Sequence, residues 1–348
     1  MHPLDALYAP PPAPPAMHAP DGFFAPWLSI LGWVVLAVLI AVALRQTRSQ
    51  LGERQVPLMG VLAAAIFAGQ MLNFTIPGGT SGHLLGGALA AILLGPWAAL
   101  LVMTAVIAVQ GLVFQDGGLL VMGLNIINMG VITAFVGYFV HRPLSRLLKG
   151  TSGTLASAFV AAYLSMVVTA AFAAVELAVS GSSPLGFALP AMVGVHAIIG
   201  VGEGLLTIFA LGFILAARPD VVQGAAAPGR RSAGFALAGL AAALAITLLA
   251  PFASPYPDGL ERVAEVAASP AEVEIPPVGF TVPDQPRFFG APGDAPYEVL
   301  PDYTVPLLGQ SGIGTIAAGM IGVLVVFAVA WGAARLLRRT AHDGHARP

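Results

Sequence analysis

The histidines are the residues of this chain best suited to bind a metal ion. Three of the seven lie in polar surroundings where a solvated or interfacial role is expected, and these are His141, His342 and His345. The others are His2, His18, His83 and His196. Neutral imidazole is the commonest protein ligand for transition metals. Because the chain has no cysteine, thiolate sites are excluded and an ion must be held by nitrogen, thioether or oxygen.

His18 directly follows Met17 in the segment MHAPDGF. If Met17 is the first residue, its amine, the backbone nitrogen of His18 and the Nδ1 atom of His18 could form fused chelate rings around one ion. His83, which follows the glycine-rich loop 77–82, could supply a fourth nitrogen. Four such nitrogens favour square-planar geometry, which suits Ni²⁺ or Cu²⁺ and fits Co²⁺ less naturally. The alternative is that each histidine only anchors a loop.

Four polar residues on the same two segments are candidates for positioning these histidines: Asp21, Gln70, Asn73 and Ser81. Gln70 and Asn73 lie one helical turn apart just before the glycine-rich loop, so they could hydrogen-bond His83 or hold the N-terminal segment. Further along, His196 and Glu203 are seven residues apart and share one helical face. These two could pair with each other, or they could relay protons or metal.

The composition indicates what kind of protein must position these residues. Hydrophobic residues make up 57% of the 348 positions and charged residues only 9%, against about 25% charged in a soluble domain. With a net charge of −2 and no basic cluster interleaved with aromatics, nucleic acid is not an expected partner. The expected fold is an all-α, polytopic integral membrane bundle in a lipid bilayer.

Apolar stretches near the length of about 20 residues that crosses a bilayer recur along the chain. The predicted segments are 25–44, 56–76, 83–95, 96–114, 119–140, 154–180, 187–217, 232–252 and 313–334. The block from 83 to 114 is divided at Gly95-Pro96 because proline removes a helical hydrogen bond. This layout predicts about seven core segments, some short or broken, and a C-terminal two-helix hairpin.

The basic residues orient this layout in the cell membrane. If residue 25 lies outside, all 15 lysines and arginines except Arg262 and Arg287 fall on the cytoplasmic side, as the positive-inside rule requires. Treating 83–114 as one span would reverse every later loop and lose this agreement. His18, His83 and an acidic, proline-rich insert at 253–311 then lie outside, and the C-terminus lies in the cytoplasm. The insert is expected to be rich in loops.

These features divide the chain into four parts. Residues 1–16 are rich in proline and lack the features of a signal peptide, so they are interpreted as a disordered lead or a mis-assigned start. Residues 17–217 form the main membrane domain, and 218–231 form a cytoplasmic linker. Residues 232–340, called the C-terminal domain here, carry two transmembrane helices.

Four motifs make the main membrane domain similar to a known family. They are MHAPDGF at 17–23, QMLNFTIPGGTSGHLLGGALAAILLGPWAA at 70–99, NIINMGVITAF at 125–135 and HAIIGVGEGLLT at 196–207. They resemble the CbiM/NikM substrate-capture subunits of energy-coupling-factor cobalt and nickel importers, which belong to the ABC transporters. The resemblance implies capture of Ni²⁺ or Co²⁺ at the extracytoplasmic face for ATP-driven uptake.

The resemblance also implies a ligand set and partners. In that family the ion is held by the N-terminal amine, the following histidine and the histidine of the SGHLLGG motif, which correspond here to Met17, His18 and His83. Sixteen residues precede Met17 here, whereas the Met-His pair begins the family's proteins, so Met17 is interpreted as the working start. Because the chain has no Walker A motif, it is not expected to be an enzyme. ATP hydrolysis is expected from partner ATP-binding subunits acting through a transmembrane coupling subunit.

The C-terminal domain resembles the small PDGLE-type, NikN-like accessory subunit of these importers, fused in frame. The matching motifs are SPYPDGLERVAE at 254–265 and PDYTVPLLG at 301–309, and such a fusion leans modestly towards nickel. The sequence leaves two alternative functions open. One is a stand-alone, proton-coupled secondary metal transporter, which would use His196 and Glu203. The other is an intramembrane metalloenzyme, for which the chain offers neither an H-E-x-x-H motif nor paired carboxylates.

Overall fold

The computed structural model describes residues 18–48, 52, 55–76, 80–217, 230–254, 256, 258–260, 299–309 and 311–343. The described α-helices are α1 (Pro26–Arg48), α2 (Gln55–Gln70), α3 (Gly87–Leu94), α4 (Pro96–Val113), α5 (Met122–Ile126), α6 (Thr133–Leu147), α7 (Gly150–Ser180), α8 (Leu185–Ala217), α9 (Arg230–Ile246) and α10 (Gly312–Asp343). A short antiparallel hairpin of β1 (Phe74–Ile76) and β2 (Thr80–Gly82) lies between α2 and α3. The predicted all-α membrane fold is therefore confirmed, with this hairpin as an addition.

Seven helical stretches of the described chain are long and apolar enough to cross a membrane. They are 26–48, 96–113, 122–147, 150–180, 185–216, 234–252 and 312–338. A π-helical stretch, Ile127–Ile132, joins α5 to α6 within the third of these. Large apolar side chains such as Phe209 and Phe213 are exposed on the bundle, which is favourable only against lipid. The chain is a multi-pass membrane protein.

The predicted break in the block 83–114 is confirmed at Gly95. Helix α3 ends at Leu94 and α4 begins at Pro96. Gly95 has a φ of +83°, which glycine adopts without a steric penalty. Pro96 occupies the first position of α4, where a missing N–H leaves no hydrogen bond unmade. Residues 87–113 therefore form two helices rather than one span.

Several boundaries differ from the prediction. The segment predicted at 56–76 stops being helical at Gln70, and its end forms β1. Thr75 and Ile76 are β-branched and favour extended backbone, and Thr75 pairs with Ser81 across the hairpin. The segment predicted at 119–140 begins at Met122 and continues to Leu147.

The C-terminal domain packs against the main membrane domain through α2, which contacts both α9 and α10. Within the main domain, α7 packs along α6 and α8, and α1 packs on α5. A Cβ on Gly123 of α5 would lie 2.7 Å from the backbone nitrogen of Trp33, so α1 and α5 meet backbone to backbone, as small residues allow in membranes. The predicted lead 1–16, Met17, most of the linker and residues 261–298 of the insert lie outside the described residues.

Candidate metal centre

His18 is buried at the start of the described chain, with 2% of its surface exposed. The side-chain amide of Asn125 donates a 3.1 Å hydrogen bond to the carbonyl of Ala19. Asp21 accepts a 3.0 Å hydrogen bond from the backbone N–H of Val121. These contacts fix the N-terminal segment on the start of α5, and they place Asp21 as an anchor of that segment.

His83 lies beside His18 in the fold, although the two are far apart in the sequence. Their ring centroids are 6.1 Å apart, with 43° between the ring planes, and His83 is also buried. The Nδ1 atom of His83 lies 3.0 Å from the carbonyl of Leu84. Because a carbonyl only accepts, this contact is a hydrogen bond when Nδ1 carries the ring proton. The structure thus brings together the two imidazoles that the sequence singled out.

Two buried side chains hold the backbone that follows His83. The two carboxylate oxygens of Glu203 accept the N–H groups of Leu85 at 2.8 Å and Gly86 at 2.9 Å. Gln70 donates a 2.8 Å hydrogen bond to the carbonyl of Leu85. Gln70 therefore acts on the backbone just beyond His83 and not on its imidazole.

Their shared helical face suggested that Glu203 and His196 could pair. In the structure the two side chains form hydrogen bonds to other groups. The carboxylate of Glu203 is occupied by the two N–H groups, whereas Nδ1 of His196 lies 2.8 Å from the carbonyl of Met192 in its own helix. A shared face of a helix brings side chains close, but here Glu203 bonds to a neighbouring segment and His196 to its own helix. Glu203 and His196 therefore have separate hydrogen-bond partners.

Asn73 and Ser81 contact the C-terminal domain. The carbonyl of Asn73 accepts a 2.8 Å hydrogen bond from the N–H of Ser254. The hydroxyl of Ser81 donates a 2.7 Å hydrogen bond to the carbonyl of Tyr256. The β1–β2 hairpin before His83 is therefore tied to the first residues of the insert.

A cavity of about 70 Å³ opens onto the imidazoles. Its polar lining residues are His18, His83, Asn125, Asn128, Thr169, His196 and Asp258. One water needs roughly 10–15 Å³, so the cavity suits an ion with a few waters better than an organic ligand. His196, though not paired with Glu203, thus borders the same space as the two candidate ligands.

Asp116, which sequence reasoning missed, is a buried acid beside His18. Its Oδ1 lies 2.9 Å from Nδ1 of His18, and its Oδ2 accepts a 2.6 Å hydrogen bond from the hydroxyl of Tyr303. Burial alone would raise the pKa of Asp116, but the neighbouring His18 and Tyr303 hold it below its ordinary value. Burial and this carboxylate raise the pKa of Tyr303 well above its ordinary value. The signal in the sequence was a single acid in the short loop between two apolar segments.

The orientation of His18 differs from that of the predicted chelate. Its Nδ1 lies 2.9 Å from Oδ1 of Asp116, and both of its ring nitrogens are buried without a hydrogen-bond partner in the described part of the chain. A buried nitrogen without a partner is unfavourable by about 1–3 kcal/mol, and a bound ion would satisfy it. A chelate through Nδ1 would require the ring to leave Asp116.

The described residues do not complete a metal site by themselves. Among them, no group of three or more histidine, aspartate or glutamate side chains is close enough to hold an ion. Met17 lies outside the described residues, so its amine stays a prediction. The site as described consists of two imidazoles and room for further ligands.

Long apolar helices around a buried pair of imidazoles define a multi-pass membrane protein with a candidate metal centre. Residues 18–221 match the family CbiM, described as a cobalt uptake substrate-specific transmembrane region. The chain belongs to the CbiM family. Residues 233–339 match the PDGLE domain, so the resemblance of both parts is confirmed.

Similar proteins extend this assignment. A putative fused nickel transport protein NikMN from Archaeoglobus fulgidus is 38% identical over 325 residues, which cover 92% of this chain and 99% of that protein. The fused nickel transport protein NikMN of Rhodobacter capsulatus is 27% identical, covering 90% of this chain and 95% of that one. A crystal structure of a truncated transition metal transporter, 30% identical, matches 57% of this chain and 99% of its own with a TM-score of 0.52. The chain is a membrane component of cobalt or nickel transport.

Proposed function

We propose that this chain is the substrate-capture subunit of an energy-coupling-factor importer. It binds Ni²⁺ or Co²⁺ at the extracytoplasmic face, and partner ATP-binding subunits drive uptake through a transmembrane coupling subunit. The observation that carries the proposal is the meeting of His18 and His83 beside one cavity, with both ring nitrogens of His18 buried and without a hydrogen-bond partner among the described residues. The extracytoplasmic side is supported by the distribution of lysine and arginine along the sequence.

The proposed ligands are the imidazoles of His18 and His83 and the amine of Met17. The match to the family begins at residue 18, which supports Met17 over Met1 as the first residue of the working protein. Asp21 anchors the N-terminal segment, and Gln70 holds the backbone after His83. Asn73 and Ser81 hydrogen-bond to the C-terminal domain and so hold the hairpin that precedes His83. Nickel transport by the fused relatives favours nickel modestly.

The test is metal binding by the purified full chain in detergent, measured by titration calorimetry with Ni²⁺ and with Co²⁺. His18→Ala and His83→Ala should each abolish tight binding, because each removes an imidazole ligand. His342→Ala, near the C-terminus, is the matched control and should bind like the wild type. Thermal unfolding monitored by circular dichroism should show that all three variants are folded. Tight binding by either of the first two variants would contradict the proposal.

The stand-alone secondary transporter is less well supported. That function needs a carboxylate able to take up and release protons, and Glu203 was its candidate. Both oxygens of Glu203 accept backbone N–H groups beside His83, which is a structural use of the side chain.

A further inference from the structure

The C-terminal domain supplies part of the wall of the metal cavity. Asp258 and Leu260 line this cavity together with the imidazoles of the main membrane domain. We infer that Asp258 and His196 form a second, weaker subsite for the divalent cation, in the same cavity as the proposed ligands. This inference rests on the proposed function, because it takes the cavity to be the place where the ion is captured.

Asp258 is held at the cavity wall by the β1–β2 hairpin. Its backbone forms a parallel bridge with Ser81 of β2, and the hydroxyl of Ser81 donates a 2.7 Å hydrogen bond to the carbonyl of Tyr256. The hydroxyl of Ser254 accepts a 3.0 Å hydrogen bond from the hydroxyl of Thr75 in β1. The start of the insert therefore contacts both strands of the hairpin, and these contacts fix the backbone at Asp258.

His196 of α8 lies against the next residue of the insert. A Cβ on Gly259 would lie 2.9 Å from Cε1 and 3.4 Å from Nδ1 of His196, so the backbone beside Asp258 contacts this imidazole directly. Nδ1 of His196 also lies 2.8 Å from the carbonyl of Met192, and this contact is a hydrogen bond when Nδ1 carries the ring proton. In that tautomer Nε2 holds the lone pair that can bind a metal ion.

The chemistry of this pair suits a hydrated divalent cation. Asp258 is the only acid among the described residues that line the cavity, and 7% of its surface is exposed. A carboxylate attracts a cation more strongly in a buried cavity than in bulk water, and an imidazole nitrogen suits Ni²⁺. Two protein ligands leave the other coordination positions to water, for which the cavity of about 70 Å³ has room. Such a subsite binds weakly and exchanges its ion.

A weak subsite beside a tight one assists capture. The negative charge of Asp258 raises the local concentration of cations in the cavity. An ion held there keeps part of its water shell and exchanges it for the nitrogens of His18 and His83 in a later step. The C-terminal domain thereby contributes one side chain directly to metal capture.

The experiment isolates the subsite by removing the proposed ligands from the purified full chain. The background carries His18→Ala and His83→Ala. It also carries His342→Ala and His345→Ala, so that histidines near the C-terminus cannot contribute. The readout is titration calorimetry with Co²⁺ and with Ni²⁺ at concentrations high enough to detect weak binding, and thermal unfolding shows whether each variant is folded.

Three substitutions are compared in this background. Asp258→Asn removes the negative charge, and His196→Gln removes the imidazole. Each should weaken the residual binding by about tenfold or more, since losing a ligand costs at least as much affinity as losing a group that hydrogen-bonds one. Asp343→Asn is the matched control, because it removes the same charge at the last residue of α10, on the side predicted to be cytoplasmic, and it should change nothing. Residual binding that is absent, or that neither Asp258→Asn nor His196→Gln weakens, would overturn the inference.

A second measurement decides if the background variant does not fold. In the otherwise unchanged chain, His196→Gln should slow the association of Ni²⁺, followed by stopped-flow absorption, by about tenfold. It should slow dissociation in the same proportion, because the tight site itself is unchanged. Wild-type rates refute the subsite. A lower affinity together with a lower melting temperature also refutes it, because that result indicates a merely structural role for His196.

Failure of the subsite can be told apart from failure of the proposed function. Tight binding that survives His18→Ala or His83→Ala contradicts the proposed function itself. If tight binding is lost in those variants while the residual binding does not respond to Asp258→Asn or His196→Gln, only the subsite is refuted.

Discussion

The carboxylate of Glu203 accepts the backbone N–H of Leu85 at 2.8 Å, and this contact ties α8 to the turn that follows His83. Its second oxygen accepts the next N–H, that of Gly86. A buried acid is thus satisfied by two amide donors, as a carboxylate with two acceptor oxygens allows. The position of His83 therefore depends on a helix more than a hundred residues further along the chain.

Glu203→Gln should destabilise the protein and weaken metal binding. A glutamine amide has one acceptor oxygen, so one of the two N–H groups would face an NH₂ donor and remain unsatisfied, at a cost of about 1–3 kcal/mol. Thermal unfolding and calorimetric titration with Ni²⁺ measure both effects. Glu176→Gln is a suitable control, since Glu176 accepts from Asn128 with one oxygen, which a glutamine can reproduce. Wild-type stability combined with lost uptake would instead indicate proton transfer by Glu203.

Uptake in cells should depend on partner subunits. Cells producing this chain together with the coupling and ATP-binding subunits should accumulate Ni²⁺ or Co²⁺, because the chain has no nucleotide-binding motif of its own. A Walker A lysine variant of the ATP-binding subunit should abolish accumulation, measured by elemental analysis of washed cells. Accumulation by the chain alone that collapses when the proton gradient is dissipated would favour the secondary transporter.

Gly259→Val should displace the insert from the cavity. A Cβ at Gly259 would lie 2.9 Å from Cε1 of His196 and 3.0 Å from Cγ1 of Val195. Because neither α8 nor the insert has room there, we expect a loss of about 1–3 kcal/mol in stability and weaker Ni²⁺ binding by calorimetry. Gly234→Val is the control, because nothing lies within 4 Å of a Cβ at Gly234. Equal melting temperatures for both variants would show that the contact with His196 is dispensable.

The mature protein should begin with Met-His-Ala-Pro-Asp. Mass spectrometry of the purified protein identifies the first residue, and Met17 should carry a free amine. Extending the chain by one residue before Met17 should then reduce Ni²⁺ affinity sharply, since the amine is a proposed ligand, while a C-terminal extension should not. A mature protein that begins at Met1 and still binds tightly would require a different third ligand.

The membrane bundle could be predicted from the sequence because its causes are local. The length of an apolar run sets whether a helix can cross the bilayer, and Gly95-Pro96 divides a run through its own backbone preferences. The same holds for His18 and His83, which stand out because they lie in unusual loops rather than in uniform apolar sequence. At 74–76, β-branched residues favour extended backbone, and pairing with a neighbouring strand turned a predicted helix end into β1.

The partners of the buried polar groups were settled only by folding in three dimensions. Tyr303 and Asp116 are separated by 187 positions, and nothing in the sequence around either residue predicts their contact. His196 and Glu203 share a helical face, yet Nδ1 of His196 contacts a carbonyl of its own helix, whereas Glu203 accepts a backbone N–H from the turn after His83. A buried charge takes whichever donor the packing brings within about 3 Å, and that choice depends on all the helices together. The type of fold can therefore be predicted from the local sequence. The hydrogen bonds around His18 and His83 form only when distant segments of the chain meet.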